Sequence, residues 1–160
     1  MDNVSQIEVI MPGITRYWLD DHTISLIVSD DAERQKVDAW ANAIMGQIET
    51  WPVNEPYLAV YDVSRSALTP YTRKKSEEIA QKAIELLGED YPTAYALVLQ
   101  HGVLGNILKL FVMRDIGRRY PKWNVHVCHT QEDAVAWVRS MREPLREEMR
   151  GSGTTPASKV

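Results

Sequence analysis

Apolar residues along this chain follow two spacings, an alternating one typical of strands and a three-to-four-residue one typical of helices. Residues 4–11 form a short apolar segment before a Pro-Gly pair, which predicts a strand that ends in a turn. Residues 14–19 and 24–29 are rich in strand-forming side chains, and a short Asp-Asp-His segment lies between them. This pattern predicts an opening β-hairpin.

Helices and strands are predicted to alternate over the rest of the chain. We expect the first helix to begin at Asp30, with Glu33 as its partner in a capping box, and to stop near Trp51. Thr69 and Thr130 are the expected caps of two later helices. The later strands are predicted at 57–61, 94–99 and 123–128, and the later helices at 69–88, at 104–116 and from 130 onward, with an interruption at Pro144.

The order of these elements predicts an α/β fold with a mixed, mainly parallel sheet, an N-terminal β-hairpin and about four helices. Strands that are apolar throughout and separated by helices are typical of parallel sheets with both faces covered. The length of 160 residues fits one domain, which we expect to span residues 1–145. Residues 146–160 are expected to form a flexible tail, because the end of the chain has a composition typical of disorder.

Charge and composition disfavour several classes of partner. The formal net charge of −4 argues against general nucleic-acid binding, and no apolar stretch reaches the roughly 20 residues that a membrane-spanning helix needs. The single cysteine, Cys128, cannot form an internal disulfide, and the first residues do not resemble a signal peptide. We therefore expect a cytoplasmic protein without nucleic-acid binding and without a membrane span.

Three segments carry a family resemblance: YLAVYDVS at 57–64, TPYTRKKSEE at 69–78 and VHVCHTQEDAVAWV at 125–138. They resemble the SpoIIAA-like branch of the STAS domains, which is related in fold to Sec14-like lipid-binding domains. The resemblance implies a regulatory or ligand-binding domain that is not an enzyme. In STAS regulators a partner kinase phosphorylates a hydroxyl in an Asp-Ser-Ser-Gly-like motif. The corresponding loop here lacks that motif, so phosphorylation of Ser64, Thr69 or Thr72 stays open.

Polar side chains follow the predicted strands at their carboxyl ends. Ligands tend to bind at this edge of an open α/β sheet, and hydroxyls at a helix N-terminus suit an anion such as phosphate. The predicted ligand- or partner-binding residues are Asp62, Ser64, Thr69, Tyr71, Thr72, His101, Gly102 and Asn106.

Catalytic and metal chemistry lack a complete motif. Asp62, Ser64 and His101 are residue types found in nucleophilic sites, but no Gly-x-Ser-x-Gly elbow is present. The loop at 102–106 lacks the full Gly-x-Gly-x-x-Gly pattern and the Lys-Ser/Thr pair of a phosphate loop, and no paired metal-ligand spacing appears. We expect no cofactor and no metal, and each candidate residue also has a structural interpretation as a cap or turn.

The helix predicted at 104–116 is apolar almost all round, which predicts burial on more than one side. We expect it to contribute to the core and to a homodimer interface through Leu104, Leu108 and Phe111, or to line a lipid-like pocket. Three functions remain open: a STAS-like regulatory or protein-interaction module, a carrier of a small apolar ligand or lipid, and a small enzyme using Asp62, Ser64 or His101.

Overall fold

A six-stranded sheet organises the chain, and its strands lie side by side in their sequence order. The structure is a computed structural model that describes residues 3–152. The strands are β1 (Val4–Met11), β2 (Ile14–Leu19), β3 (Ile24–Ser29), β4 (Tyr57–Asp62), β5 (Thr93–Val98) and β6 (Asn124–Cys128). The helices are α1 (Arg34–Thr50), α2 (Pro70–Leu87), α3 (Val103–Arg119) and α4 (Gln131–Ser152). The predicted α/β fold with an N-terminal hairpin and four helices is confirmed.

The sheet changes from antiparallel to parallel pairing at β3. Strands β1, β2 and β3 pair antiparallel, whereas β3 to β6 pair parallel through helical connections. The tight turn between β2 and β3 places Asp20, Asp21 and His22 at φ values of 49°, 56° and 65°. Asp and His are among the non-glycine residues that tolerate this left-handed conformation best, so the sequence suits the turn.

Each face of the sheet has its own hydrophobic core, because side chains alternate along every strand. On one face, α1 and α2 cover a cluster that includes Ile27, Ala59 and Tyr61. On the other face, α4 covers a second cluster that includes Leu58 and Val60. The parallel strands are therefore covered on both sides, as their apolar sequences predict.

The first helix begins later than the sequence predicts. The expected start at Asp30 with a capping box is wrong, because α1 begins at Arg34 and the Glu33 side chain makes no capping hydrogen bond. Instead, Asp31 accepts a hydrogen bond from the Glu33 backbone N–H at 2.9 Å. Lys36 also bonds Asp30 and Asp31, at 3.2 and 3.1 Å. These local contacts hold the preceding loop out of the helix.

The last helix continues beyond the expected domain end. Thr130 caps it as predicted, accepting a hydrogen bond from the Asp133 backbone N–H at 3.2 Å. Pro144 lies inside α4 without ending it, and Leu145 and Met149 beyond it are buried. Burial of these two side chains offsets the backbone hydrogen bond that proline cannot donate. Residues 146–152 are thus helical, and the rest of the predicted tail lies outside the described residues.

Helix α3 is far more exposed than its apolar sequence predicts. Leu104, Leu110 and Phe111 are 59%, 73% and 67% exposed, and Gly105 is the buried residue of the helix. Burial on more than one side is therefore wrong, because α3 packs through a single half-buried edge that includes Leu108. No described helix meets the length and hydropathy that crossing a membrane requires.

An ionic clamp fastens the β2–β3 turn to α4. Asp20 receives hydrogen bonds from Arg139 Nε at 2.9 Å and Nη2 at 2.8 Å, and from Arg142 Nη2 at 2.6 Å. The hydrogen bond from Arg139 lowers the pKa of Asp20 below its usual value of 3.8, although partial burial opposes this. The charged form of Asp20 therefore stabilises the fold.

We expect Asp20→Asn to lower the free energy of unfolding by about 2 kcal/mol at neutral pH, since it weakens hydrogen bonds between charged groups. The carboxylate stabilises the fold above the pKa of the unfolded chain, and this contribution disappears as the pH falls through the lower folded-state pKa. The difference between wild type and variant should therefore shrink in acid. Urea unfolding at several pH values measures it. Asp21→Asn changes an exposed charge in the same turn and should have little effect.

Candidate functional site

The carboxyl end of β4 is tied to the start of α4 through Asp62. This buried carboxylate accepts a hydrogen bond from the Gln131 side-chain amide at 2.6 Å and another from the Ser64 backbone N–H at 2.9 Å. Both oxygens are therefore used inside the protein. No hydrogen bond in the described part of the chain joins the Ser64 hydroxyl to His101, so the three candidate catalytic residues do not form a nucleophile–base–acid relay.

Two histidines lie at the carboxyl ends of β5 and β6. His129 Nδ1 is 3.2 Å from the Leu99 carbonyl oxygen, and its Nε2 is 3.1 Å from the Asn106 side-chain oxygen. The His101 ring lies 5.2 Å from the His129 ring, centroid to centroid. The contact with Asn106 attaches the first turn of α3 to the sheet.

A close backbone approach also holds the start of α3. Gly105 packs against the Gln100 carbonyl so tightly that a Cβ atom at this position would overlap it. Gly102, at φ 101°, precedes the helix and turns the chain into it. Gly102 and Asn106 therefore serve the attachment of α3. Among residues 3–152 no group of three His, Cys, Asp or Glu side chains is placed to hold a metal ion.

A cavity of about 580 Å³ lies between the sheet and the helices α2 and α3. Its floor comes from the helix-covered face of β4 and β5, and its walls come from the facing sides of α2 and α3. Aromatic and aliphatic side chains form most of this lining: Trp40, Ile44, Tyr57, Tyr61, Ile79, Leu87, Tyr95, Leu97, Phe111, Val112, Ile116 and Trp123.

Small side chains on α2 account for this space. The side of α2 that faces the sheet carries Ala80 and Ala83, both of which line the cavity. Large rings on the sheet face them: the rings of Tyr61 and Tyr95 lie 5.7 Å apart on adjacent strands. Alanine side chains are too short to fill the gap between α2 and these rings. Because these alanines do not fill the space above the sheet, α2 packs mainly against α1. One contact between the two helices is the hydrogen bond that the Tyr71 hydroxyl donates to Asp38 at 2.6 Å.

The cavity floor contains a buried chain of polar side chains. The Gln47 amide donates hydrogen bonds to the Ser25 hydroxyl at 2.6 Å and to the Tyr57 hydroxyl at 3.0 Å. The hydroxyls of Tyr57 and Tyr61 are 2.8 Å apart. Burial raises the pKa of Tyr57 to about 12 and that of Tyr61 well above its usual value. Both hydroxyls are therefore protonated at any physiological pH.

Charged side chains cross the rim of the cavity between α2 and α3. Arg119 bonds Glu77 at 2.8 Å, and Arg73 lies 3.5 Å from Asp115. All four residues line the cavity and are partly exposed. Exposed ion pairs of this kind each contribute about 0–1 kcal/mol, so they orient the two helices without locking them together.

The predicted site residues separate into three places. Thr69 and Thr72 line the cavity at the start of α2, where the Thr69 hydroxyl accepts the Thr72 backbone N–H at 3.1 Å and caps the helix as predicted. Thr72 is itself buried. Tyr71 instead connects α2 to α1, and its ring faces Arg34 at 4.7 Å. Asp62, Ser64, His101, Gly102 and Asn106 lie at the carboxyl edge of the sheet, outside the cavity lining.

The sequence interpretation missed the residues that form the cavity floor. Tyr57, Tyr61 and Tyr95 occur in strands that read as ordinary buried segments. One signal was available, because the apolar side of α2 contains alanines where a helix packed on a sheet usually carries larger side chains. Nothing in the sequence shows that these alanines face the tyrosines.

Comparison with known proteins leaves the chain without an assigned relative. No protein-family model, no curated protein and no solved structure matches it. The functional argument therefore depends on the geometry of the chain itself.

We expect Gly105→Ala to lower the free energy of unfolding by about 1–3 kcal/mol, because the added methyl group overlaps the Gln100 carbonyl and displaces the start of α3. Urea unfolding gives the global effect. Amide hydrogen exchange in α3 shows whether this helix loosens first.

Gly117→Ala is the matched control within the same helix, since a Cβ there meets nothing within 4 Å. It should stabilise the protein by about 0.5–1 kcal/mol, because alanine loses less backbone entropy in a helix than glycine does. Equal effects from the two substitutions would contradict the close approach at Gly105.

Proposed function

We propose that this protein binds a small, predominantly apolar ligand in the cavity between the sheet, α2 and α3. The observation that carries the proposal is the cavity of about 580 Å³ lined mainly by aromatic and aliphatic side chains. Ligand sites in proteins typically have volumes of about 300–1,000 Å³ and combine apolar walls with a few polar groups. The buried hydroxyls of the floor and the charged rim supply those polar groups here.

An apolar cleft of this size between a sheet and its helices is unusual as a simple packing feature. Protein interiors are close-packed, and side chains that border an empty space lose their dispersion contacts on one side. The other face of the same sheet shows ordinary packing, with Leu58, Val60 and Val138 fully buried beneath α4. A ligand would restore the missing contacts on the cavity face. This contrast between the two faces supports a binding role.

Helix α3 is attached by few contacts, and this gives a ligand a way to enter the cavity. The helix is held by one half-buried apolar edge, by the contact at Gly105, by the His129–Asn106 contact and by exposed ion pairs to α2. Elements with few buried contacts open at lower free-energy cost than the core does. A small movement of α3 would widen the mouth of the cavity while α1, α4 and the sheet keep their packing.

We expect Ala83→Phe to weaken binding of the neutral fluorescent probe N-phenylnaphthylamine by at least about tenfold, because the added ring occupies space that the probe needs. The stability of the variant should equal or exceed that of wild type, since the ring fills a void. Fluorescence titration measures binding, and urea unfolding measures stability.

Gln81→Phe provides the matched control, because Gln81 is exposed on the same helix and does not line the cavity. It should leave probe affinity unchanged. Equal probe binding by wild type and both variants would place the probe outside the cavity, and absence of binding to wild type would count against the proposal.

A second candidate function is a STAS-like regulatory or protein-interaction module that pairs with a copy of itself. The observation that favours it is the outer stripe of α3, defined by five exposed apolar side chains: Val103, Leu104, Ile107, Leu110 and Phe111. A two-fold dimer brings the same patch of both copies together, so a single apolar stripe suffices. Leu104 and Phe111 are available for this contact, whereas Leu108 faces the sheet.

We expect Leu110→Glu to convert a dimer into a monomer, because Leu110 is 73% exposed in the outer stripe of α3 and does not line the cavity. Sedimentation velocity at several protein concentrations gives the mass. Ile7→Glu changes an equally exposed apolar residue on β1 and should leave the mass unchanged. We would reject the self-pairing if the wild-type protein stayed monomeric at about 100 μM, because a dimer with a dissociation constant in the low micromolar range would form at that concentration.

A further inference from the structure

One buried tryptophan beside the cavity has a polar group without a partner. Trp40 on α1 is 6% exposed, and its indole Nε1 makes no hydrogen bond within the described part of the chain. The other buried indole, that of Trp51, donates its N–H to the Pro56 carbonyl oxygen at 3.1 Å. Buried donors without an acceptor are rare in proteins, because such a donor has given up its hydrogen bond to water and received none in return.

The surroundings of Trp40 do not supply the missing acceptor. The Tyr61 ring lies 6.2 Å from the Trp40 ring at an interplanar angle of 78°, and an aromatic face is a weaker acceptor than an oxygen atom. Water does not reach the indole nitrogen, because this atom is buried. The Trp40 side chain nevertheless lines the cavity, so a bound ligand can provide the acceptor.

This indole is the one unpartnered buried group whose residue lines the cavity. Four buried polar side-chain atoms in residues 3–152 have no hydrogen-bond partner, and they belong to Trp40, Arg16, Gln47 and Arg142. The last three residues do not line the cavity. An indole N–H can donate a hydrogen bond but cannot accept one. The ligand group that pairs with Trp40 must therefore be an acceptor, such as an oxygen atom.

The cavity also limits the charge of the ligand. Its charged side chains are two arginines and two acidic residues at the rim, and they pair with one another. Trp40 instead belongs to the apolar core cluster, together with Ile44 and Tyr61. An ionised group placed there would lose its hydration without gaining an opposite charge. The acceptor that suits Trp40 is thus an uncharged oxygen.

We propose that the Trp40 indole N–H is the specificity-determining donor of the cavity, and that it binds a carbonyl or ether oxygen of an uncharged, predominantly apolar ligand. A small rotation of the indole ring, which borders the cavity, presents the N–H to the ligand. This inference rests on the proposed ligand-binding function and adds the chemical class of the ligand to it. A plain hydrocarbon would fit the walls but would leave the donor unpaired.

Two fluorescent probes test the inference in the full chain. Prodan is an uncharged naphthalene ketone, and N-phenylnaphthylamine is similar in size but has no oxygen. The smaller ring in Trp40→Phe changes the space for both probes, whereas the loss of the N–H acts on Prodan alone. We expect the affinity for Prodan to fall about three- to tenfold relative to that for N-phenylnaphthylamine, the value of one neutral hydrogen bond. Retained binding of N-phenylnaphthylamine shows that the variant is folded.

Trp123→Phe is the matched control, since it makes the same change at another tryptophan that lines the cavity. It should leave the ratio of the two affinities unchanged. The inference is overturned if Trp40→Phe leaves this ratio unchanged, or if Trp123→Phe lowers it equally. In both cases the proposed ligand-binding function stands. If neither probe binds wild type, the proposed function itself fails and the inference with it.

Nuclear magnetic resonance of the wild-type protein provides a second measurement that does not require a variant to fold. The indole N–H signal of Trp40 is assigned through its contacts with the Tyr61 ring. We expect Prodan to move the proton of this signal to lower field, as a hydrogen bond to oxygen does, and N-phenylnaphthylamine to leave it without that shift. A signal that stays in place with Prodan, or that moves equally with both probes, overturns the inference.

Discussion

Large rings on β4 and β5 face small side chains on α2, and this mismatch of size determines the shape of one half of the molecule. The tyrosines of the sheet are fixed by strand alternation and by the hydroxyl chain to Gln47. Ala83 and its neighbour Ala80 cannot reach down to fill the space above them. Helix α2 therefore packs sideways against α1, and the resulting gap extends as far as α3. The cavity lies in this gap, and the charged rim and α3 border it.

The opposite face of the sheet is built differently. Helix α4 lies across the parallel strands, and its buried residues interdigitate with those of β4 and β5. The Asp20 clamp fixes this helix to the β2–β3 turn, and Asp62 fixes its first turn to the end of β4. Removing one partner of a paired, partly buried charge destabilises a protein more than removing one partner of an exposed pair does. The molecule thus combines one closely packed face with one face that leaves a cavity between the sheet and its helices.

The position of α3 connects packing to function. Its sequence is apolar enough for a buried helix, yet it lies against β6 at the edge of the sheet and packs mainly through one half-buried edge. Six apolar side chains of α3, the five of the outer stripe and Met113, are consequently exposed. The same helix borders the cavity through Val112 and Ile116. The same helix therefore borders an apolar cavity on one side and presents apolar residues to the outside on the other.

Local sequence signals located most elements of this protein. The hairpin, the caps at Thr69 and Thr130 and the alternation of helices and strands depend on neighbouring residues, so the sequence determined them. The same signals misplaced the start of α1, because the Asp31 and Lys36 contacts compete with the capping box. They also predicted a binding site at the carboxyl edge of the sheet, and this stays a prediction. Asp62, one of its residues, accepts two hydrogen bonds from within the protein.

The sequence by itself determined the α/β class, the order of the elements and the apolar character of each strand, since these follow from periodicity and local capping. Only the tertiary structure decided which side chains meet. Three features involve residues that are distant in the chain or lie on different elements. They are the close approach of Gly105 to Gln100, the hydrogen bonds from Gln47 through Tyr57 to Tyr61, and the gap between Ala83 and the tyrosines. Such contacts depend on how far each helix stands from the sheet. That distance is set by the sizes of facing side chains, and a linear sequence does not show which residues face each other.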